Sequence, residues 1–296
     1  MYLAEILALS AAVCIAMSGM LVSELQGRLP LFDLARLQML AAFAMTAAAS
    51  LAVGGWRSVE PWHLGFLAAS SLFGIILAST TYFATIYIAG PRTMALLFSL
   101  TSPFAVLLGY LFLGETITMR QGGGIALVLA GILLAIGRRP AKGPRRSGAP
   151  QRAAWPGIAL GVVTALGQAL GSLAARPAMA AGVEPFTAMA VRSGLAALFF
   201  FLLLLVPLPV FRPAARVEPR SYVFVGGSAF LGVGLGMSLL MAALAHGNVG
   251  IVSTLSSMTP VLILPMVWVR TGIVPPAPAW LGAALAVAGT ALISLG

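Results

Sequence analysis

"GPRTMALLFSLTSPFAVL" occupies residues 90–107 and "GNVGIVSTLSSMTPVLIL" occupies residues 247–264. Set side by side without a gap, they share Gly90/Gly247, Ser99/Ser256 and Pro103/Pro260 at a single offset of 157. Ser71 and Phe73 meet Ser228 and Phe230 at the same offset. With one inserted residue, "GIALVLAG" (124–131) meets "GAALAVAG" (282–289), and Arg36 corresponds to Arg192 at an offset of 156. A set of matches in this order marks an internal duplication, and the fold follows from what each copy contains.

Composition says what the copies are made of. Of 296 residues, 60% are hydrophobic and 8% charged, with a mean hydropathy of +1.03. Soluble domains carry roughly a quarter charged residues, so this is the composition of a membrane protein. A spanning helix needs about 20 mostly apolar residues. Ten candidate spans fit, near 3–23, 35–53, 64–87, 93–113, 122–137, 156–175, 186–206, 222–243, 250–269 and 279–295. The apolar runs are continuous and lack the ten-residue alternation of a membrane barrel, so the expected fold class is all-α integral membrane. The first span starts at Met1 without a basic leader and reads as retained.

Five spans fall in each copy. The expected division is a first five-helix repeat over 1–137, a basic connecting loop over 138–154 and a second repeat over 155–296. Five is odd, so the second copy enters the membrane from the opposite side. Two inverted repeats related by a pseudo-twofold axis in the membrane plane form the architecture of many secondary transporters, whose substrates bind near the midplane between the repeats.

The net charge of +10 could suggest nucleic acid, but its placement argues otherwise. Six basic residues and no acid fall in "GRRPAKGPRRSGAPQR" (137–152), a solvated loop suited to anionic lipid headgroups. Across ten spans, thirteen of the 17 basic residues share the side of this loop and four lie opposite. The positive-inside rule then places loop 138–152 in the cytoplasm and both termini on the outer face of an inner or plasma membrane. The single cysteine, Cys14, allows no internal disulfide, and neither a metal cluster nor any other cofactor is expected. A monomer is the expected state, with a small-molecule substrate, membrane lipid and no nucleic acid as partners.

The residues of each half resemble one EamA-type domain of the drug/metabolite transporter superfamily. In the first half they are "SPFAVLLGYLFLGETITMRQGGGIALVLAG", with Pro103 in mid-span, Leu113-Gly114-Glu115 at the span end, and Gln121 before the glycines. In the second half Pro260, Gly282 and Gly289 fit, while "VRTG" (269–272) stands where the family shows "LGE". Glu115 is therefore read as an interfacial cap. The resemblance implies a ten-helix transporter, with exporters of amino acids and related metabolites most similar in size and layout.

The two prolines raise a chemical question. Proline at i leaves the carbonyl of i−4 without its helical donor, here Ser99 and Ser256. An unsatisfied carbonyl in hydrocarbon costs several kcal/mol, roughly, so it should face protein, water or ligand. Ser99 with Ser102, and Ser256 with Thr259, stack on one helix face at a spacing of three. The expectation is a wet cavity lined by Ser99, Ser102, Ser256 and Thr259, with Pro103 and Pro260 as hinges. The alternative is hydroxyls bonded back to the preceding turn and prolines that only shape packing.

Two further stripes, Ser10/Cys14/Ser18 and Thr164/Gln168/Ser172, recur every four residues. Gln168 reads as the sole mid-membrane glutamine, able to donate and accept toward substrate or to join helices. Ser79 and Tyr82 share a face of the third span and complete the candidate substrate-binding set. The glycine-rich "GVGLG" (232–236) serves close helix approach. Every Asp and Glu falls near a span end or in a loop, which favours facilitated or exchange transport over a buried-carboxylate proton antiporter. An intramembrane serine protease would need a nucleophile–histidine pair, and neither "MSGM" nor "GGSAF" gives its G-x-S-G signature. A lipid flippase or another metabolite class shares the composition. The function expected is export or exchange of small polar metabolites, amino acids foremost, by alternating access.

Overall fold

The computed structural model describes residues 3–113, 116–137, 155–213, 217–246, 255 and 258–295. The basic loop 138–154, Glu115 and Ser256 lie outside the described residues. Helices α1 (Leu3–Glu24) and α2 (Leu31–Val53) open the chain, followed by α3 (Pro61–Ser71) and α4 (Ala78–Ala89), which a π-helical stretch (Leu72–Leu77) joins into one span. Next come α5 (Pro91–Phe98), α6 (Thr101–Leu113) and α7 (Met119–Gly137). The second half repeats the order: α8 (Trp155–Ala180), α9 (Pro185–Leu202), and α10 (Pro219–Ser228) joined through a π-helical stretch (Ala229–Gly236) to α11 (Met237–His246). It ends with α12 (Thr259–Thr271) and α13 (Ala277–Ser294).

Among the described residues, ten apolar spans or shorter apolar helices result, as the hydropathy pattern implies. Seven are long enough to cross a membrane outright, and Met119–Ala135, Thr259–Thr271 and Ala277–Ile293 are shorter apolar helices. The two π-helical stretches begin at Leu72 and Ala229, which are 157 residues apart. The duplication therefore extends to an irregularity of the backbone that composition does not reveal.

The repeats interleave. The third span of each half packs against the first two helices of the other: α3 and its π stretch on α8 and α9, α10 and its π stretch on α1 and α2. Spans that correspond by sequence also pair directly, α2 with α9 and α7 with α13. Along α2 and α9 the pairing runs antiparallel, Thr46 to Ser193 (3.4 Å) and Ser50 to Thr187 (2.5 Å). Two equivalent helices that run antiparallel through their own contact fit an axis perpendicular to both. The duplicated halves are thus inverted in the fold itself.

Small residues make the approach possible. A Cβ on Gly74 would stand 3.0 Å from the Cα of Gly171, so α8 and the first π stretch touch backbone to backbone. Without a hydrophobic drive between helices in lipid, such close packing and interhelical hydrogen bonds supply the adhesion. Ser70 Oγ donates to the Gly171 carbonyl at 2.6 Å and Ser71 Oγ to the Arg192 carbonyl at 2.6 Å.

The proline spans differ from the sequence expectation. Instead of one kinked helix, the chain breaks at Ser99–Leu100 and restarts as α6, with Pro103 its third residue. Pro260 is likewise the second residue of α12. First-turn N–H groups have no intrahelical acceptor, so a proline there forfeits nothing. The Ser99 carbonyl accepts from Ser102 N–H at 3.4 Å, so the break itself takes up the group that Pro103 would have freed.

Candidate central cavity

A cavity with about 610 Å³ of empty space, mouth included, lies between the repeats. The first half contributes α1, α2, the first π stretch, α4 and α5; the second contributes α8, α9, the second π stretch and α11. Both irregular stretches thus border it, where uneven backbone is tolerated because it faces a cavity and not lipid. The wall is mainly apolar, with a few polar side chains set into it.

Three of the expected binding residues meet there: Ser79, Tyr82 and Gln168. Gln168 is buried and makes no hydrogen bond to another described residue, so its amide is available to the cavity. One turn earlier, Thr164 Oγ1 donates to Thr81 Oγ1 at 2.7 Å and holds α8 to α4. Tyr82 reaches from α4 across to α1, where its hydroxyl would stand 2.8 Å from a Cβ on Gly19. Glycine at 19 makes room for that hydroxyl. The ring also meets Phe98 edge-on at 6.5 Å, which gives the cavity an aromatic side.

The remaining expected residues lie elsewhere. Ser99 and Ser102 are buried at the break between α5 and α6, Thr259 is buried at the start of α12, and none of the three borders the cavity. The Ser99 hydroxyl has no partner among the described residues. Pro103 and Pro260 sit in the first turns of α6 and α12, and Ser256 is among the residues not described.

One cavity residue escaped the sequence reading. Gln38 is 2% exposed, donates to Ser228 Oγ at 2.9 Å and borders the cavity, so Gln168 is not the sole buried glutamine. Ser18, from the Ser10/Cys14/Ser18 stripe, does border the cavity and donates to the Ser228 carbonyl at 2.9 Å. Gln38 sits close to the charged Asp33 and Arg36, which made its region look like a span end. Arg36 and Arg192, at the start of the second span of each half and included in the basic count, are buried inside α2 and α9. Their removal takes one residue from each side of the basic count and leaves its bias unchanged.

One end of the bundle is tied by polar contacts. Glu24, at the end of α1, forms an ion pair with Arg270 of α12. Gln26 donates to the Tyr87 carbonyl, and Tyr87 Oη donates to the Leu29 carbonyl at 3.1 Å. His63 lies buried in the first turn of α3, where Nδ1 accepts from Glu60 N–H at 2.9 Å in a capping box.

An inverted pair of five-helix repeats around a cavity walled by both defines a secondary-transporter architecture. The chain belongs to the EamA-like transporter family, whose model matches residues 2–137 and again 155–295, and with it to the drug/metabolite transporter superfamily. It is a multi-pass membrane protein and a transporter of small solutes, as that family is. A solved crystal structure shares the fold with a TM-score of 0.71 at 22% identity, covering 99% of this chain and 96% of its own. No curated protein matches the chain.

Proposed function

We propose that the protein exports or exchanges small polar metabolites, amino acids foremost, by alternating access around the central cavity. The observation that carries this reading is that both inverted repeats contribute to one cavity. Rocking one repeat-built bundle against the other would then expose the same residues to each side in turn. The largely apolar wall, with Tyr82 and Phe98 on one side and Gln168 on another, suits a solute with an apolar body and a polar head.

No Asp or Glu of the described residues borders the cavity. Asp33 is engaged by Arg36 and Glu24 by Arg270. This supports facilitated or exchange transport over a proton antiport that runs through a cavity carboxylate. The orientation follows the basic count: loop 138–152 in the cytoplasm, both termini outside, in the cell's inner or plasma membrane.

Counterflow into proteoliposomes tests the function, with labelled amino acids, nucleotide sugars and organic cations as the panel. Accumulation of amino acids driven by the same unlabelled solute inside supports it. Accumulation of another class alone would reassign the substrate, and no accumulation of any would contradict transport. For orientation, a cysteine at position 148 on a Cys14-free background should resist an impermeant reagent applied to intact cells.

A further inference from the structure

Arg36 and Arg192 hold equivalent places in the two repeats but have unlike surroundings. The Arg36 guanidinium pairs with Asp33, one turn back on α2, and donates to the Phe211 carbonyl at 2.9 Å. Arg192 is 0% exposed, and its Nε and Nη2 have no partner among the described residues. Its remaining nitrogen, Nη1, reaches only the Met189 sulfur at 3.2 Å, a weak acceptor. The offset of 156 that relates the arginines also relates Asp33 to Met189. The second repeat keeps the cation and lacks its carboxylate.

The free nitrogens are the informative ones. Nε and Nη2 form the side-on fork of a guanidinium, which matches the two oxygens of a carboxylate. A guanidinium stays charged in a protein, so burial without a counterion leaves a strong unmet demand for an anion. Arg192 also lies directly behind the cavity wall. A Cβ on Gly74 would stand 2.9 Å from Nη2, and Gly74 and Met189 both border the cavity. The guanidinium thus lies against a glycine backbone and a flexible, unbranched thioether that both face the cavity.

We propose that Arg192 is the carboxylate-recognition group of the cavity, with a solute carboxylate taking the place beside Arg192 that Asp33 takes beside Arg36. Rotation of the Met189 side chain admits it. The proposal rests on reading the cavity as the transport site, and it narrows the substrate class to solutes bearing a free carboxylate. Amino acids qualify. Organic cations without one do not.

The test uses the purified full chain and two readouts: thermal unfolding with added solute, and counterflow. The probes are amino acids and short monocarboxylates, each beside its carboxamide. The wild type should be stabilised by at least one carboxylate and not by the matching amide. Met189→Asp supplies the counterion internally, as the first repeat does, and should weaken carboxylate binding on the order of a hundredfold while unfolding no earlier than wild type. Arg192→Gln removes the charge without adding one and should lose the preference for carboxylate over amide, which keeps the test intact if Met189→Asp does not insert.

Unchanged carboxylate preference in either folded variant overturns the proposal. So does equal stabilisation by acids and amides, or stabilisation by no carboxylate in the panel. The two readings fail separately. Counterflow confined to neutral or cationic solutes would leave transport standing and remove the Arg192 site. Carboxylate binding that Met189→Asp erases, without counterflow of any solute, would keep the site and remove transport.

Discussion

Gly124 and Gly289 face each other so closely that a Cβ on either would stand 2.6 Å from the other's carbonyl oxygen. Seven residues along, Gly131 and Gly282 do the same at 2.5 Å. The first glycine of "GIALVLAG" thus meets the last of "GAALAVAG", and the last meets the first. A self-complementary contact of this kind is what a twofold axis produces between subunits, here folded into one chain. It joins α7 to α13 antiparallel and is the most direct geometric sign of the inverted repeat.

That contact predicts a matched pair of effects. Gly124→Leu and Gly282→Leu, equivalent in the repeat, should each force the helices apart and lower stability by about 1–3 kcal/mol. Thermal unfolding in detergent would measure both. Loss at one position without loss at the other would mean that the two halves do not share the contact equally.

Gln168→Leu should weaken or redirect transport and leave folded protein in the membrane. A lost hydrogen bond costs about 0.5–1.5 kcal/mol, a few-fold to tenfold in affinity. Concentration dependence of counterflow reads it. Unchanged affinity for every transported solute would assign Gln168 to packing.

The helix breaks set the third prediction. Because Pro103 and Pro260 occupy the first turns of α6 and α12, alanine there should let α5 run into α6, or extend α12 at its N-terminal end. Pro103→Ala and Pro260→Ala should each slow turnover without preventing insertion. Under the pseudo-twofold they should bias the resting state toward opposite openings. Labelling of single cysteines at the two ends of the bundle would detect the bias, and wild-type turnover with unchanged labelling in both would reduce the prolines to packing devices.

The Glu24–Arg270 pair has no counterpart in the repeat, since Ala180 and Leu113 stand at the equivalent positions. Arg270 is half-exposed, so the pair contributes at most about 1 kcal/mol. Glu24→Gln should nevertheless raise labelling of a cysteine at that end several-fold, because a small bias between near-equal states moves populations. Exchanging the two residues, Glu24→Arg with Arg270→Glu, should restore wild-type labelling. Equal labelling in all three proteins would separate this pair from gating.

Much of the fold is legible in the sequence because it rests on local signals. Continuous apolar runs give the spans, and ordered matches from Ser71 to Gly289 give the duplication and, by the odd number of spans, its inversion. The prolines announce a disturbance in the helix but not its form. Pro103 is compatible with both a kink and a restart, and the Ser102–Ser99 bond that decides between them is a matter of turn geometry. The site is less legible. Ser79, Tyr82 and Gln168 carry the right chemistry in mid-span and border the cavity, but Ser99 and Ser102 carry similar chemistry and do not. Which face of a helix meets the cavity depends on packing with the other repeat, more than a hundred residues away. Gln38 and Arg192 were hidden for another reason. A polar residue near a span end looks solvated until the neighbouring helices are in place.

Reach from both sides separates a transporter's cavity from a static one, and Ser79 is placed to report it. On a background with Cys14 replaced, Ser79→Cys puts a single thiol in the cavity wall. Inside-out and right-side-out vesicles would each be treated with an impermeant thiol reagent, with and without the solute that shows counterflow. Alternating access between the repeats predicts labelling from both faces, slowed from each by that solute. Labelling from one face only, unaffected by a solute the protein moves, would contradict the account.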